Sequence, residues 1–248
     1  MPAQLSVNLN AVAYLRNRRS VPWPNLLDIA RAVLSAGAHG ITVHPRPDER
    51  HIRASDVGPL ADLIANEFPG RELNIEGFPT RAFLDLALSA RAQQVTLVPD
   101  SPEQATSDHG WDFAANAALL SAAVREIQSA GARAALFVDA IEGDADAARQ
   151  TGADRIELYT GPYAEAGGAA DHLGQLARTA DAARGPGGAM RPLGINAGHD
   201  LTCENLPPLC AAIPDLAEVS IGHGLTADAL LIGFPEAVRR YLAALGHT

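Results

Sequence analysis

The fold is decided by a short stretch, residues 36–46, which reads AGAHGITVHPR. Its first glycine, Gly37, follows a segment with helical spacing, and glycine readily takes the left-handed conformation that ends a helix. The run Gly40-Ile-Thr-Val-His44 is rich in β-branched residues, which is typical of a buried strand. The stretch therefore predicts a helix end, a strand, and polar side chains where that strand ends.

The same unit recurs along the whole chain. The helix-ending phrase Gly-Ala returns at residues 131–132 and 152–153, each time just before another aliphatic run. One-sided helical spacing is found in residues 26–34, 120–127 and 231–242. Seven further strand-like runs begin at Leu5, Glu72, Gln94, Ala134, Arg155, Pro192 and Glu218.

Strands that alternate with helices predict parallel strands joined by right-handed crossovers. Eight such units without a linker between halves favour an α/β fold, a single (β/α)8 TIM barrel that forms one catalytic domain over residues 1–248. An open doubly wound sheet is the structural alternative. We expect loops in the Pro-, Ser- and Asp-rich residues 99–111 and in the Gly- and Ala-rich residues 183–190.

Composition limits the classes of partner. The formal net charge of −10 disfavours nucleic acid, because binding to a phosphate backbone normally needs a surplus of basic side chains. The N-terminus lacks a basic segment followed by an apolar run, and no run approaches the roughly 18 apolar residues of a membrane span. We therefore expect a cytoplasmic protein that has no membrane partner.

Polar side chains gather where the predicted strands end, which is where the reaction occurs in barrels of this kind. These residues are Asn8, Asn10, His44, Arg46, Glu76, Glu157, His199, Asp200, Gly222 and His223. Burial and mutual interaction can bring the pKa values of the histidines and glutamates near neutrality. The set predicts acid–base catalysis, although each residue taken alone is more often structural.

Metal and cofactor chemistry is disfavoured by the same motifs. His44-Pro-Arg46 puts a guanidinium beside the imidazole, and this charge would repel a zinc ion. The glycine-rich and Gly-Lys-Ser/Thr motifs of nucleotide sites do not occur. The chain has no lysine, so an enzyme–substrate Schiff base through lysine is excluded.

Anionic ligands have candidate sites at two places on the same rim. The Gly222-His223-Gly224 loop lies ahead of Thr226, where backbone N–H groups of barrel enzymes commonly hold phosphate. Arginines follow the first two predicted strands, at positions 16, 18, 19, 46 and 50. For Arg16 and Arg18, a solvated basic turn is an equal alternative.

An ordered set of motifs covers the chain from end to end. The motifs are VNLN at 7–10, LRNRR at 15–19, GITVHPR at 40–46, NIE at 74–76, LVP at 97–99, ELYTG at 157–161, NAGH at 196–199 and IGH at 221–223. In this order the set resembles the pyridoxine 5′-phosphate synthase family. The resemblance implies a (β/α)8 barrel, without metal or cofactor, that condenses 3-amino-2-oxopropyl phosphate with 1-deoxy-D-xylulose 5-phosphate to pyridoxine 5′-phosphate, inorganic phosphate and water.

The resemblance also implies roles, residue by residue. His44 and Glu76 match the family's general bases, His199 its proton donor, and Glu157 a residue that supports the transition state. The aminoketone phosphate would be held by Asn8, Arg19, Asp200, Gly222 and His223. The deoxyxylulose phosphate would be held by Asn10, Arg46, His51 and Thr106. Family members assemble as octamers built from dimers, so we expect a homo-octamer.

The first strand motif and position 200 depart from the common family pattern. Many members read Asn-Ile-Asp-His where this chain has Asn8-Leu9-Asn10-Ala11, and many have Gly in place of Asp200. The amide can still hydrogen-bond a sugar hydroxyl but the methyl cannot, so Ala11 is left out of the site.

His199 is predicted to be protonated near neutrality. We expect Asp200 and a nearby phosphate to raise the pKa of its imidazole. We also expect Gly198 to provide a backbone turn that is closed to other residues. The resulting imidazolium could lean over the pocket mouth and donate a proton.

Two other functions stay open. A barrel phosphosugar isomerase or epimerase would share the phosphate site and a carboxylate base, but would need only one phosphorylated substrate. A non-catalytic binding or scaffold protein on a barrel would not depend on His44, Glu76 or His199.

Overall fold

Eight parallel strands form one closed barrel in chain order in the computed structural model, which describes residues 1–100, 104, 107–185 and 191–247. The strands are β1 (Gln4–Asn8), β2 (Gly40–Val43), β3 (Glu72–Gly77), β4 (Gln94–Leu97), β5 (Arg133–Val138), β6 (Arg155–Tyr159), β7 (Gly194–Gly198) and β8 (Glu218–Ile221). Pairing of β1 with β8 closes the ring. The predicted barrel is confirmed, and the open sheet is wrong.

Helices surround this ring. Those of the described residues are α1 (Asn10–Asn17), α2 (Leu26–Ser35), α3 (Ala54–Glu67), α4 (Arg81–Ser89), α5 (Phe113–Ser129), α6 (Glu142–Gln150), α7 (Gly161–Glu165), α8 (Ala170–Arg184), α9 (Leu206–Ala212), α10 (His223–Ile232) and α11 (Phe234–Ala244). None of the helices in these ranges has the length and apolar character needed to cross a bilayer.

Helix ends follow the predicted glycines in three units. Gly37, Gly131 and Gly152 have φ values of 112°, 86° and 88°, so each takes the conformation that only glycine adopts readily. One predicted helix is wrong, because residues 231–242 do not form a single element. Gly233, with φ of 81°, separates α10 from α11, and this break leaves Leu231 87% exposed instead of packed.

The inward face of the barrel carries a layer of buried polar side chains. Ser6 and Thr42 share a hydrogen bond of 2.7 Å, and Asn74 contacts both Thr42 and Thr96 through its side-chain amide. Side chains alternate along a strand, so the residue two positions further along faces the same way. Glu76 therefore points inward directly above Asn74, at the carboxyl end of the barrel.

The segment after β4 is fastened to the barrel mouth at residues 110–111. The buried indole of Trp111 donates from Nε1 to the Leu97 carbonyl at 2.8 Å, and the Gly110 N–H donates to Asp139 Oδ1 at 3.0 Å. A Cβ at Gly110 would lie 2.3 Å from the Asp139 backbone nitrogen, so only glycine fits there. Ser107, three residues before Gly110, lies at the mouth of the barrel.

Candidate active site

A cavity of about 460 Å³ opens at the carboxyl ends of the strands. It is lined by all four candidate catalytic residues, His44, Glu76, Glu157 and His199. Candidate binding residues on its wall are Asn8, Asn10, Arg46, His51, Asp200, Gly222 and His223. Lining residues that were not selected from the sequence are Ala11, Tyr14, Asp100, Ser107 and Ser220. The structure thus brings together most of the predicted set.

Of the two remaining predicted residues, Thr106 lies outside the residues that the structure describes. Arg19 is exposed and lines a separate surface depression with Arg53 and residues 16–22. The expectation that Arg19 binds substrate therefore finds no support in the geometry of this cavity, because β1 is followed directly by α1 and the arginine comes after that helix.

The two other arginines after β1 have partners of their own. Arg16 pairs with Asp56 at 2.7 Å and donates to the His51 carbonyl at 3.2 Å, so it ties α1 to the loop after β2. Arg18 lies over the ring of Tyr14, 5.0 Å from its centroid. Arg16 therefore has a structural role in an ion pair. The sequence alone did not distinguish this role from that of a solvated basic turn.

Two buried carboxyl groups face each other across the cavity. Burial and then the charge of Asp100 raise the pKa of Glu76 to about 8, although Ser220 and Asn8 donate hydrogen bonds that lower it. Asn8 Nδ2 lies 3.4 Å from Glu76 Oε2. Burial, then the charges of Glu76 and Glu218, raise the pKa of Glu157 well above its usual range. Both groups can therefore carry protons at neutral pH.

Gly198 makes room for Glu157, which is a different role from the predicted backbone turn. A Cβ at Gly198 would lie 2.2 Å from Glu157 Oε1. The positive φ values belong instead to His199, at 84°, and Asp200, at 55°. This uncommon backbone is held by Thr160, whose hydroxyl donates to the carbonyls of residues 198 and 199.

The imidazole of His199 packs between aromatic rings. Its centroid lies 5.4 Å from that of Phe137 and 5.3 Å from that of Tyr159. Burial lowers the pKa of His199, and the nearby charges of Asp200 and Asp100 raise it by less. The expectation of a raised pKa is thus wrong for the protein without ligand, because desolvation outweighs the attraction of Asp200.

His44 and His51, which also line the cavity, are held neutral as well. Burial lowers the pKa of His44 well below its usual value, and the neighbouring His51 and Arg46 lower it further. Burial likewise lowers the pKa of His51 to about 4, and its Nδ1 accepts from the Ile52 N–H at 2.9 Å. The backbone N–H of His44 donates to Asn10 Oδ1 at 3.0 Å. A neutral His44 is able to accept a proton.

Arg46 is the buried cation of the cavity, and the segment after β4 engages it. Its guanidinium forms an ion pair with Asp100 and donates to the Gln104 carbonyl at 2.5 Å. The Ser107 hydroxyl donates to the same Asp100 oxygen at 2.8 Å. Asp100 comes three residues after the end of β4, as Arg46 comes three residues after the end of β2, so the strand-end rule could have found it from the sequence.

Anion binding has a second origin at the start of α10. Gly222 and His223 line the cavity at the first turn of this helix, where free backbone N–H groups and the helix dipole favour a phosphate. A Cβ at Gly222 would lie 3.1 Å from Asn8 Cβ, so the loop packs closely on β1. Among the described residues, no cluster of three or more His, Cys, Asp or Glu side chains could hold a metal ion.

Comparison with known sequences gives a consistent result along the whole chain. The family described as "Pyridoxal phosphate biosynthesis protein PdxJ" matches residues 5–247. A protein of Mesorhizobium japonicum named pyridoxine 5′-phosphate synthase is 58% identical over 250 residues, covering 99% of this chain and 100% of the relative. Proteins of the same name from Brucella abortus and Brucella anthropi are each 55% identical and cover 99% of this chain and 99% and 100% of their own.

Solved structures share the fold at low identity. The 3-keto-L-gulonate-6-phosphate decarboxylase of Vibrio cholerae has a TM-score of 0.65 at 12% identity and covers 99% of this chain and 98% of its own. The thiamine phosphate pyrophosphorylase of Pyrococcus furiosus has a TM-score of 0.61 at 12% identity, with 98% and 95% covered. These similarities support the barrel architecture alone.

The raised pKa of Glu76 predicts a pH-dependent cost of folding. The folded protein holds this proton up to about pH 8 while the unfolded chain releases it near 4.5, so stability is lost as pH rises through this window. Glu76→Gln should therefore be more stable than the parent protein by about 5 kcal/mol at pH 9, and by only about 1 kcal/mol at pH 5. Urea unfolding at the two pH values measures the difference.

The exposed Glu67 provides the control for this measurement. Arg31 lowers the pKa of Glu67, so Glu67→Gln should give no gain in stability at pH 9. A Glu76→Gln protein with the same pH dependence as the parent would show that Glu76 is ionised in the cavity at neutral pH.

Proposed function

The chain belongs to the family described as pyridoxal phosphate biosynthesis protein PdxJ, and from this premise we propose that it condenses 3-amino-2-oxopropyl phosphate with 1-deoxy-D-xylulose 5-phosphate to give pyridoxine 5′-phosphate, inorganic phosphate and water. The observation that carries the proposal is the meeting of His44, Glu76, Glu157 and His199 on one cavity beside two anion-binding groups. Such a ring-forming condensation needs repeated proton transfers at carbon, nitrogen and oxygen.

The neutral His44 and the buried Glu76 act as the general bases. His44 can accept a proton near pH 7 because it is not protonated there. Glu76, with a pKa of about 8, accepts a proton in the fraction of molecules in which it is ionised, and this fraction grows as the pH approaches 8. Glu157 keeps its proton and can donate a hydrogen bond to negative charge that develops in the transition state. Different environments thus give the three residues two kinds of role, as general bases and as a hydrogen-bond donor.

Each phosphate has its own set of contacts in this proposal. The first turn of α10 at Gly222 and His223, with Asn8, holds the phosphate of the aminoketone. Arg46, Asn10 and His51 hold the deoxyxylulose phosphate. The roles of Arg19, Thr106 and Asp200 rest on the family resemblance alone. Fixing both phosphates orients the reacting carbonyl and amine.

Bound phosphate also completes the proton donor. Burial lowers the pKa of His199, and two phosphate dianions bound beside it would raise this pKa again. His199 then becomes an imidazolium only when both substrates are present. This coupling suits a donor that acts late, when water or phosphate departs.

The proposal extends to the setting of the protein. We take residues 1–248 as one catalytic domain in a cytoplasmic homo-octamer that needs no cofactor, no metal and no partner other than its small phosphorylated ketones. Exposed apolar side chains support an assembly, since Trp23, Leu230 and Leu231 are 66%, 72% and 87% exposed on the single chain. A mass by light scattering far below eight times 25.9 kDa would contradict the octamer.

The reaction itself is tested by supplying each ketone phosphate alone and then both together. A synthase releases inorganic phosphate and forms an aromatic product only from the pair. An isomerase or epimerase would instead convert one phosphorylated substrate without the other, and this outcome would replace the proposal.

His199→Asn should slow a late step by about 10²–10⁴-fold, because a general acid is lost while both phosphate sites remain. Rapid mixing of both substrates should then show an absorbing intermediate that accumulates before product. His172→Asn makes the same change on α8, outside the cavity, and should behave as the parent protein. Parental product formation by His199→Asn, or failure to join the substrates while both still bind, would contradict the late role.

A further inference from the structure

The strongest unexplained contact of the cavity is the one between Arg46 and Asp100. The guanidinium is 4% exposed and the Asp100 side chain 6% exposed, so both charges are removed from water. The Asp100 carboxylate thus binds the Arg46 guanidinium, which is the group that binds a substrate phosphate in the proposed function. A guanidinium fork binds both anions through the same pair of N–H donors.

The contact uses only part of the carboxylate. Asp100 Oδ2 accepts from Arg46 and from the Ser107 hydroxyl, and His44 Nε2 lies 3.9 Å from it. Asp100 Oδ1 is buried and has no hydrogen-bond partner among the residues that the structure describes. A buried oxygen without a partner costs free energy, so the pair is less stable than its short contact suggests.

The pair also lies between two spaces. A second, mostly apolar cavity of about 350 Å³ adjoins the first and is walled by Phe78, Phe83 and prolines of the loops after β2 and β4. His44, Arg46 and Asp100 line both cavities, so the ion pair forms part of the wall between them. Movement of Asp100 would therefore enlarge the space beside Arg46.

We propose that Asp100 is a positioning residue that holds Arg46 and is displaced from it when a substrate phosphate binds. This proposal rests on the proposed function in one respect, that Arg46 contacts a phosphate. The buried guanidinium needs a counter-charge, and Asp100 provides it. A phosphate dianion offers more charge and more acceptor oxygens, and it repels the carboxylate.

Displacement has a consequence with a distinctive sign. Breaking the Arg46–Asp100 pair costs free energy, and this cost weakens phosphate binding. Removing the charge of Asp100 should therefore strengthen phosphate binding. A residue that merely supported the shape of the site would weaken binding when changed. The direction of the change therefore separates a competitor for Arg46 from a structural support.

Calorimetric titration with inorganic phosphate provides the test. Asp100→Asn should bind phosphate about tenfold more tightly than the parent protein, because a neutral amide competes poorly with phosphate for the Arg46 guanidinium. Asp85→Asn removes the same charge from the exposed face of α4, where Asp85 pairs with Arg81, and should leave the affinity unchanged. Equal or weaker binding by Asp100→Asn would overturn the proposal.

Two further variants protect the result. Ser107→Ala removes the hydroxyl that holds Asp100 and should give a smaller gain in phosphate affinity. This variant tests the proposal if Asp100→Asn does not fold. In an Arg46→Ala background, Asp100→Asn should give no gain, and a gain that persists there would place the competition at another cation. Absence of phosphate binding in every variant would also overturn the proposal.

These titrations do not depend on turnover. If the variants show the expected phosphate affinities but the protein does not catalyse the two-substrate reaction, the proposed function is wrong and the competition of Asp100 for Arg46 is still supported. If the protein catalyses the two-substrate reaction but the variants lack the expected phosphate affinities, the proposed function is supported and the role of Asp100 is wrong.

Discussion

The site depends on one constraint, the closure of eight parallel strands into a ring whose carboxyl ends meet at one rim. Because side chains alternate along a strand, closure turns Asn8 and Glu76 inward together with the polar layer of Ser6, Thr42, Asn74 and Thr96. Helices cover the other face of every strand. Groups far apart in the chain therefore share one cavity, and most of them lose contact with water as a direct result of the fold.

Removal from water acts in opposite directions on the two kinds of acid–base group. It raises the pKa values of Glu76 and Glu157, and it lowers those of His44, His51 and His199. The cavity consequently carries fewer charges than its side chains suggest. Negative charge from the glutamates is reduced, while Arg46 and the first turn of α10 keep their attraction for anions. One physical cause thus provides both proton carriers and a surface that accepts phosphate.

The sequence predicted all eight strands, because parallel strands that are buried on both faces consist of short runs of aliphatic residues. It failed at residues 231–242, where the apolar spacing continues across Gly233 although the backbone does not. The strand-end rule found the glutamates and histidines, but a carboxylate in a Pro- and Ser-rich stretch looks like solvent-exposed loop, so Asp100 was missed. Phe137 and Tyr159, which pack against His199, looked like ordinary residues of the hydrophobic core in the sequence. The lowered pKa of His199 could not be read from its neighbours in sequence, since burial by distant residues decides it.

Two amides, at the end of β1 and at the start of α1, link the proposed bases. Asn8 Nδ2 donates to Glu76, the Asn10 N–H donates to Asn8 Oδ1 at 2.9 Å, and Asn10 Oδ1 accepts from the His44 N–H at 3.0 Å. A carboxylate at position 10 could accept the same bond, but Asn10 holds His44 in place without adding a negative charge to the rim. Amides do not titrate in the physiological range. The link between the two proposed bases therefore keeps its geometry while Glu76 and His44 gain and lose protons, and an ionisable group in its place would respond to each transfer.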